Sequence, residues 1–265
     1  MVPDGRSSPA QRGERAADPC LTFSVERSSP LGPCPAGDGD KEYTSVVVTQ
    51  RSAAPIRAIQ DANGGCESVQ DILNVAVTAE AFAVTFLGLA LESAESGDLD
   101  LDDEAVESFV AARAAEQAHY DFLVENGAEP LTLTFTIPDG EILTDPETFY
   151  TTVVSLEEAF IAAYLTAAQS FIVQGEPELA QVALQIGAVE AEHRVGVRFF
   201  GIGAGVIDGV ANDVAFEKAL FERVSEAADL LTELGFIDGD GTAVEFPGPG
   251  EIDDTGVSNL TPPTP

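Results

Sequence analysis

The chain has 265 residues, 45% of them apolar, which is enough for a sizeable core in one large domain or two small ones. Forty-six Asp and Glu stand against twelve Lys and Arg, a net charge of −34. Such a surface repels nucleic acid and anionic membranes and attracts cations, so metal ions are the partners to expect and nucleic acid and membranes are not.

Lys41 and Lys218 are the only lysines. An acid excess with scarce lysine suits a high-salt medium, where repulsion is screened within a few ångströms. No run of about eighteen apolar residues occurs, so no transmembrane helix is expected. Met1-Val2-Pro3-Asp4-Gly5 lacks a basic region followed by an apolar one. A cytoplasmic location is the expectation, with export behind a start further upstream as the alternative. Cys20, Cys34 and Cys66 show no CxxC spacing and no zinc pattern. Free thiols are preferred there over a Cys20–Cys34 disulfide.

Residues 1–67 are rich in Pro, Gly, Ser and Arg and read as an irregular extension, relieved by one short strand around Val46-Val47-Val48. A helical domain is expected over 68–235 and an irregular tail over 236–265. Ser68 or Asp71 caps the first helix, whose apolar face carries Leu73, Val77, Val84, Leu87 and Leu91, with Glu80 in its middle. It stops near Gly97. The second runs from about Asp102, where Asp103 and Glu104 suit the N-terminal dipole, to Asn126, with Gly127 as the stop.

A long connection follows, from Ala128 to about Asp145. Its Leu131 to Ile137 stretch alternates like a strand, and Pro138-Asp139-Gly140 turns. Loops of this length need a reason inside a domain, and a crossover between the second and third helices of a bundle supplies one. The third helix starts at Pro146 behind Asp145, carries Glu157 among Val153, Ile161, Tyr164 and Phe171, and ends at Gly175. The fourth runs from Pro177 to near Gly201. A fifth, amphipathic helix is expected from Asp213 to about Leu234, with Phe216, Leu220, Val224, Leu231 and Leu234 facing inward. Asp238-Gly239-Asp240-Gly241 lacks the downstream glutamate of a calcium loop and reads as a turn.

The chemistry concentrates in two matching stretches, Glu116-Gln117-Ala118-His119 and Glu190-Ala191-Glu192-His193. They hold both histidines of the chain, each three residues after a glutamate and so on the same helix face. Phe109, Ala112 and Leu123 surround the first pair; Leu179, Val182, Ile186, Val197 and Phe200 surround the second. One Glu-x-x-His arises often by chance, and a buried histidine is commonly a satisfied core residue. Here both histidines obey the pattern, and each remaining helix supplies a core glutamate. Glu80, Glu116, His119, Glu157, Glu190 and His193 thus form the half-and-half ligand pattern of a di-metal carboxylate site. Carboxylates and imidazoles suit iron or manganese, and four carboxylates balance two divalent ions.

Glu157 and Glu158 compete for one ligand position. Glu80-Ala81-Phe82 resembles Glu158-Ala159-Phe160, but Glu157 shares the apolar face and is preferred. Glu192 points away from the core and is solvated. Tyr120 and Tyr164 read as plain packing, preferred for both over hydrogen-bond partners of the ligands or radical relays.

At these residues the chain resembles the ferritin-like domain of desiccation-related proteins. The resemblance runs through Asp71-Ile72-Leu73-Asn74 to Glu80, Glu116 to His119, Leu156-Glu157-Glu158 to Tyr164 and Glu190 to His193, over roughly residues 68–203. Ala211 to Glu217 resembles the family's downstream region. The resemblance implies an all-α, ferritin-like four-helix bundle with the long crossover, a fifth C-terminal helix and a di-iron-type site. Many relatives carry a twin-arginine export signal, which is not seen here. Ala83 and Leu87 stand where relatives often carry a further Glu and a Tyr, so the resemblance implies the six ligands but does not extend to an extra iron-entry or redox residue.

Two functions fit these residues. One is a metal-binding protein holding two iron ions (or manganese) that oxidises ferrous iron with dioxygen or peroxide. The other is a non-catalytic stress protein for dehydration or salt, whose metal serves stability. Homodimerisation through the bundle is compatible with either.

Overall fold

A computed structural model describes residues 67–248, 252, 254 and 257–263, together with two strands further upstream. Those strands, β1 (Val25–Glu26) and β2 (Val47–Val48), pair antiparallel as a unit of their own. The second strand falls on the Val46-Val47-Val48 run. Cys20, Cys34 and Cys66 lie outside the described residues.

Four long helices follow: α1 (Val69–Ser96), α2 (Asp103–Glu125), α3 (Pro146–Gln174) and α4 (Pro177–Gly203). Their ends obey local chemistry. Ser68 and Asp71 form a reciprocal capping box at the start of α1, satisfying backbone donors that the first turn leaves open. Gly97, in the left-handed region at φ 83°, closes it where a side chain would be strained. Asp102 caps α2 and Asp145 caps α3, each accepting from a backbone N–H three residues on.

α1 packs along α2 and α3 along α4, while α2 and α4 touch little. The α2–α3 connection explains the order. Gln70 at the start of α1 donates to the Gly127 carbonyl, Leu131 N–H donates to Thr78, and Ser93 near the end of α1 donates to the Leu143 carbonyl. The strap therefore runs the length of α1 and returns the chain to the end where α2 began. α3 must then run parallel to α2, the hallmark of a single crossover.

The strap holds β3 (Thr134–Pro138), which pairs antiparallel with β4 (Gly241–Glu245). Phe135 is fully buried against Phe82, with ring centroids 5.5 Å apart, and Phe236 meets the same ring at 4.7 Å. Residues 236–265 are therefore not an irregular tail throughout: β4 closes a two-stranded ribbon, and Phe236 and Phe246 enter the core.

The fifth helix is shorter than its sequence pattern. α5 spans Ser225–Glu233, not Asp213 to Leu234. Val224 and Leu231 are buried as expected, but Phe216 is 91% exposed, and Leu220 and Leu234 are also exposed. Two ion pairs hold the stretch before α5 against α4: Arg194 forks onto Glu217, and Arg198 pairs with Asp213 at 2.6 Å. These charge-assisted bonds prevail over a helical period that meets no apolar partner among the described residues.

α1 and α3 are apolar enough in composition to cross a membrane, but the most apolar window of α1 is 89% buried inside the bundle. Both are core helices.

Candidate metal centre

Each bundle helix brings its polar residues to the same level. Glu80 on α1, Glu116 on α2, Glu157 on α3 and Glu190 on α4 are all buried, at 5% exposure or less. His119 and His193 lie one helical turn beyond their glutamates, and their rings remain slightly open, at 13% and 12% side-chain exposure. All six sequence-derived candidates therefore meet. Glu157, rather than Glu158, points into the core; Glu158 turns outward and accepts from Lys218. Glu192 is exposed.

The ligand atoms sort into two overlapping groups. Glu80, Glu116, His119 and Glu190 form one; Glu116, Glu157, Glu190 and His193 form the other. Within each, the atoms lie within 4.8 Å of one another. Glu116 and Glu190 belong to both. His119 Nδ1 sits 3.2 Å from Glu116, 3.4 Å from Glu190 and 3.5 Å from Glu80; His193 Nδ1 sits 2.8 Å from Glu116 and 3.5 Å from Glu190.

Protein contacts do not satisfy this cluster. Glu116 Oε1, Glu157 Oε2, both carboxylate oxygens of Glu190 and His193 Nδ1 are buried with no hydrogen-bond partner among the described residues. The 2.8 Å approach of His193 to Glu116 lies off the hydrogen-bonding direction. Leaving so many buried polar atoms unpaired costs about 1–3 kcal/mol each, unless a further group engages them. A cation does so for carboxylate oxygens and imidazole nitrogens together, and the donor set fits one.

The electrostatics carry the same signature. Burial pushes the Glu80 carboxyl well up, and the neighbouring Glu116 charge adds to it. Burial, then the Glu190 charge, pushes Glu157 up. Burial opposes ionisation of Glu116 as well, but the two imidazoles outweigh it and hold that carboxyl well down. Burial would lower both histidines; the carboxylates of Glu80 beside His119 and of Glu116 beside His193 prevail and raise them. The raised values of Glu80, Glu157, His119 and His193 all favour the protonated form, which lessens the negative charge that the metal-free cluster would otherwise bury.

Tyr164, buried on α3, donates its hydroxyl to Glu80 Oε1, so of the alternatives for this phenol the structure selects a hydrogen-bond partner of the cluster. Tyr120 packs instead on Phe246, with ring centroids 4.5 Å apart. Gly187 lets α3 and α4 close: a Cβ there would stand 3.1 Å from the Tyr164 Cβ.

One feature of the site escapes a ligand search in the sequence. A cavity of about 730 Å³ lies between α2 and α4, with His119, His193 and Glu157 at its inner end. Its signal is the small-residue series Ala112, Ala115 and Ala118 on the His119 side of α2, which keeps α2 from filling the gap.

Fold and cluster together define a class: a four-helix bundle with a long crossover and, at its centre, a carboxylate–imidazole group that could hold metal. The ferritin-like domain family model matches residues 68–200, about half of the chain, and the chain belongs to that family. No curated protein and no solved structure matches it.

Proposed function

We propose that the protein holds two divalent ions, iron or manganese, and that in its iron form it oxidises ferrous iron with dioxygen or peroxide. Glu80 and His119 would hold one ion, Glu157 and His193 the other, with Glu116 and Glu190 shared. Support comes above all from the overlap of the two ligand groups at Glu116 and Glu190. A chance cluster of core acids has no reason to divide into two sets with one imidazole each. Bound there, the metal pair would supply redox chemistry toward dioxygen or peroxide, with ferrous iron as substrate. The chain's own part is to fix the ligands. Each histidine is held in register with a glutamate by the i, i+3 spacing, and Tyr164 orients Glu80 by donating to it. The surface of charge −34 draws cations toward the bundle.

That same surface favours a second reading, a stress protein for salt or dehydration whose metal serves stability. Oxygen uptake on adding ferrous ions to the purified protein separates the two. The first requires turnover, abolished in Glu116→Ala; uptake no faster than that of the variant leaves the second.

A further inference from the structure

The cavity between α2 and α4 is larger than bound ions require. Its volume of about 730 Å³ falls within the range of pockets that enclose small organic molecules. Its walls are mostly apolar, with Phe109, Ala112 and Phe122 from α2 and Val182, Ile186 and Val189 from α4, interrupted by Ser108, Gln185 and Glu192. The tail at residues 257–263 crosses its mouth, with Val257, Leu260 and Pro262 among the lining side chains.

Two features mark this space as a binding chamber. Its inner end is the imidazole side of the cluster: His119 and His193 face it, while Glu80, Glu116 and Glu190 do not line it. Gln185 lines it too, and the Oε1 atom of Gln185 is buried with no hydrogen-bond partner among the described residues. An unpaired buried amide oxygen in a mostly apolar wall calls for a ligand with a hydrogen-bond donor. Glu192 at the rim disfavours an anion, and the Gln185 Oε1 acceptor calls for a donor that an anionic headgroup lacks.

We propose that this cavity binds an uncharged, mainly apolar organic molecule bearing a hydroxyl group, held by Gln185 and presented to the imidazole side of the metal centre. The assignment of what the ligand faces rests on the metal-centre reading; the binding itself does not.

1-Naphthol is a suitable probe, titrated calorimetrically into the full chain after its metal content has been measured on the same sample. Saturable binding of one molecule per chain is expected. Naphthalene-1-sulfonate should bind at least about tenfold more weakly, because it offers the Gln185 Oε1 acceptor no donor and brings a charge toward Glu192. Ala112→Phe and Ala188→Phe, which fill the chamber from opposite walls, should each weaken 1-naphthol about tenfold or more without changing metal content. Ala188 is exposed, so enlarging it leaves the bundle core alone. Gln185→Leu should weaken 1-naphthol about three- to tenfold and leave naphthalene unaffected. Phe216→Ala, at the exposed apolar surface, should change nothing.

No saturable binding, or binding indifferent to both filling substitutions in folded protein, overturns the chamber. If metal is retained in that case, the metal-centre reading stands. If instead 1-naphthol binds as expected to protein that takes up no metal, the chamber stands and the metal-centre reading falls.

Discussion

Glu157→Leu should stabilise the protein without metal and destabilise it with metal. Glu157 is 5% exposed, its Oε2 has no hydrogen-bond partner among the described residues, and burial has raised its carboxyl. Leucine has a similar volume and no polar atoms. Removing one unsatisfied buried oxygen relieves about 1–3 kcal/mol, taken here as about 2. In a helical domain of this size each kcal/mol moves Tm by about 2–4 °C, so the chelated variant should melt about 4–8 °C above the chelated parent. With metal the order reverses. An ion present at a hundred times its Kd stabilises the parent by about 2.7 kcal/mol, and the variant lacks a ligand to one ion. Thermal unfolding followed by circular dichroism, in chelator and in excess manganese, reads both arms. A chelated variant less stable than the parent by more than about 1 kcal/mol would refute the reasoning, because Glu157 would then be a satisfied core residue.

Three further outcomes follow from the same physics. Glu80, Glu157, His119 and His193 all have raised folded values, so the metal-free fold binds more protons than the unfolded chain above the ordinary glutamate value of about 4.5. Chelated protein should therefore lose stability as pH rises from about 5 to about 8, and metal binding should release protons, measurable by calorimetry in buffers of different ionisation enthalpy. Glu116, held low, contributes the opposite slope below about pH 4.5. The net charge of −34 should make Tm rise with sodium chloride and level off near about 1 M, where the screening length is about 3 Å; a flat or falling curve would contradict dominant self-repulsion. Ser68→Ala removes the capping box of α1 and should cost about 1 kcal/mol in urea unfolding, with metal content unchanged.

Much of this molecule is legible in its sequence because local chemistry sets it. Asp102 and Asp145 start helices and the left-handed glycines at 97 and 175 stop them by local chemistry, so the four long helices fall within a residue or two of expectation. Glu157 could be preferred over Glu158 because helical spacing alone places it among Val153, Ile161 and Tyr164. What depends on distant partners was not legible. The pattern through Phe216 and Leu220 is helical in period, but among the described residues nothing apolar receives that face, and Arg194 and Arg198 draw Glu217 and Asp213 onto α4 instead. Strand β4 takes its conformation from β3, more than a hundred residues earlier, which no window around Gly241 reveals. The chamber arises from the spacing of α2 and α4 and from the tail across its mouth, so the alanines of α2 become meaningful only once the helices are in place.

The central claim is that two overlapping ligand groups hold two ions. Elemental analysis of protein produced with iron or with manganese tests it most directly. About two ions per chain are expected, as the divided ligand set requires. His119→Ala and His193→Ala should each lower that number, since each removes the only imidazole of one group, whereas Glu192→Ala, at an exposed position, should not. If both histidine variants retained as much metal as the parent, the claim would be contradicted, and His119 and His193 would be core residues paired only with the carboxylates around them.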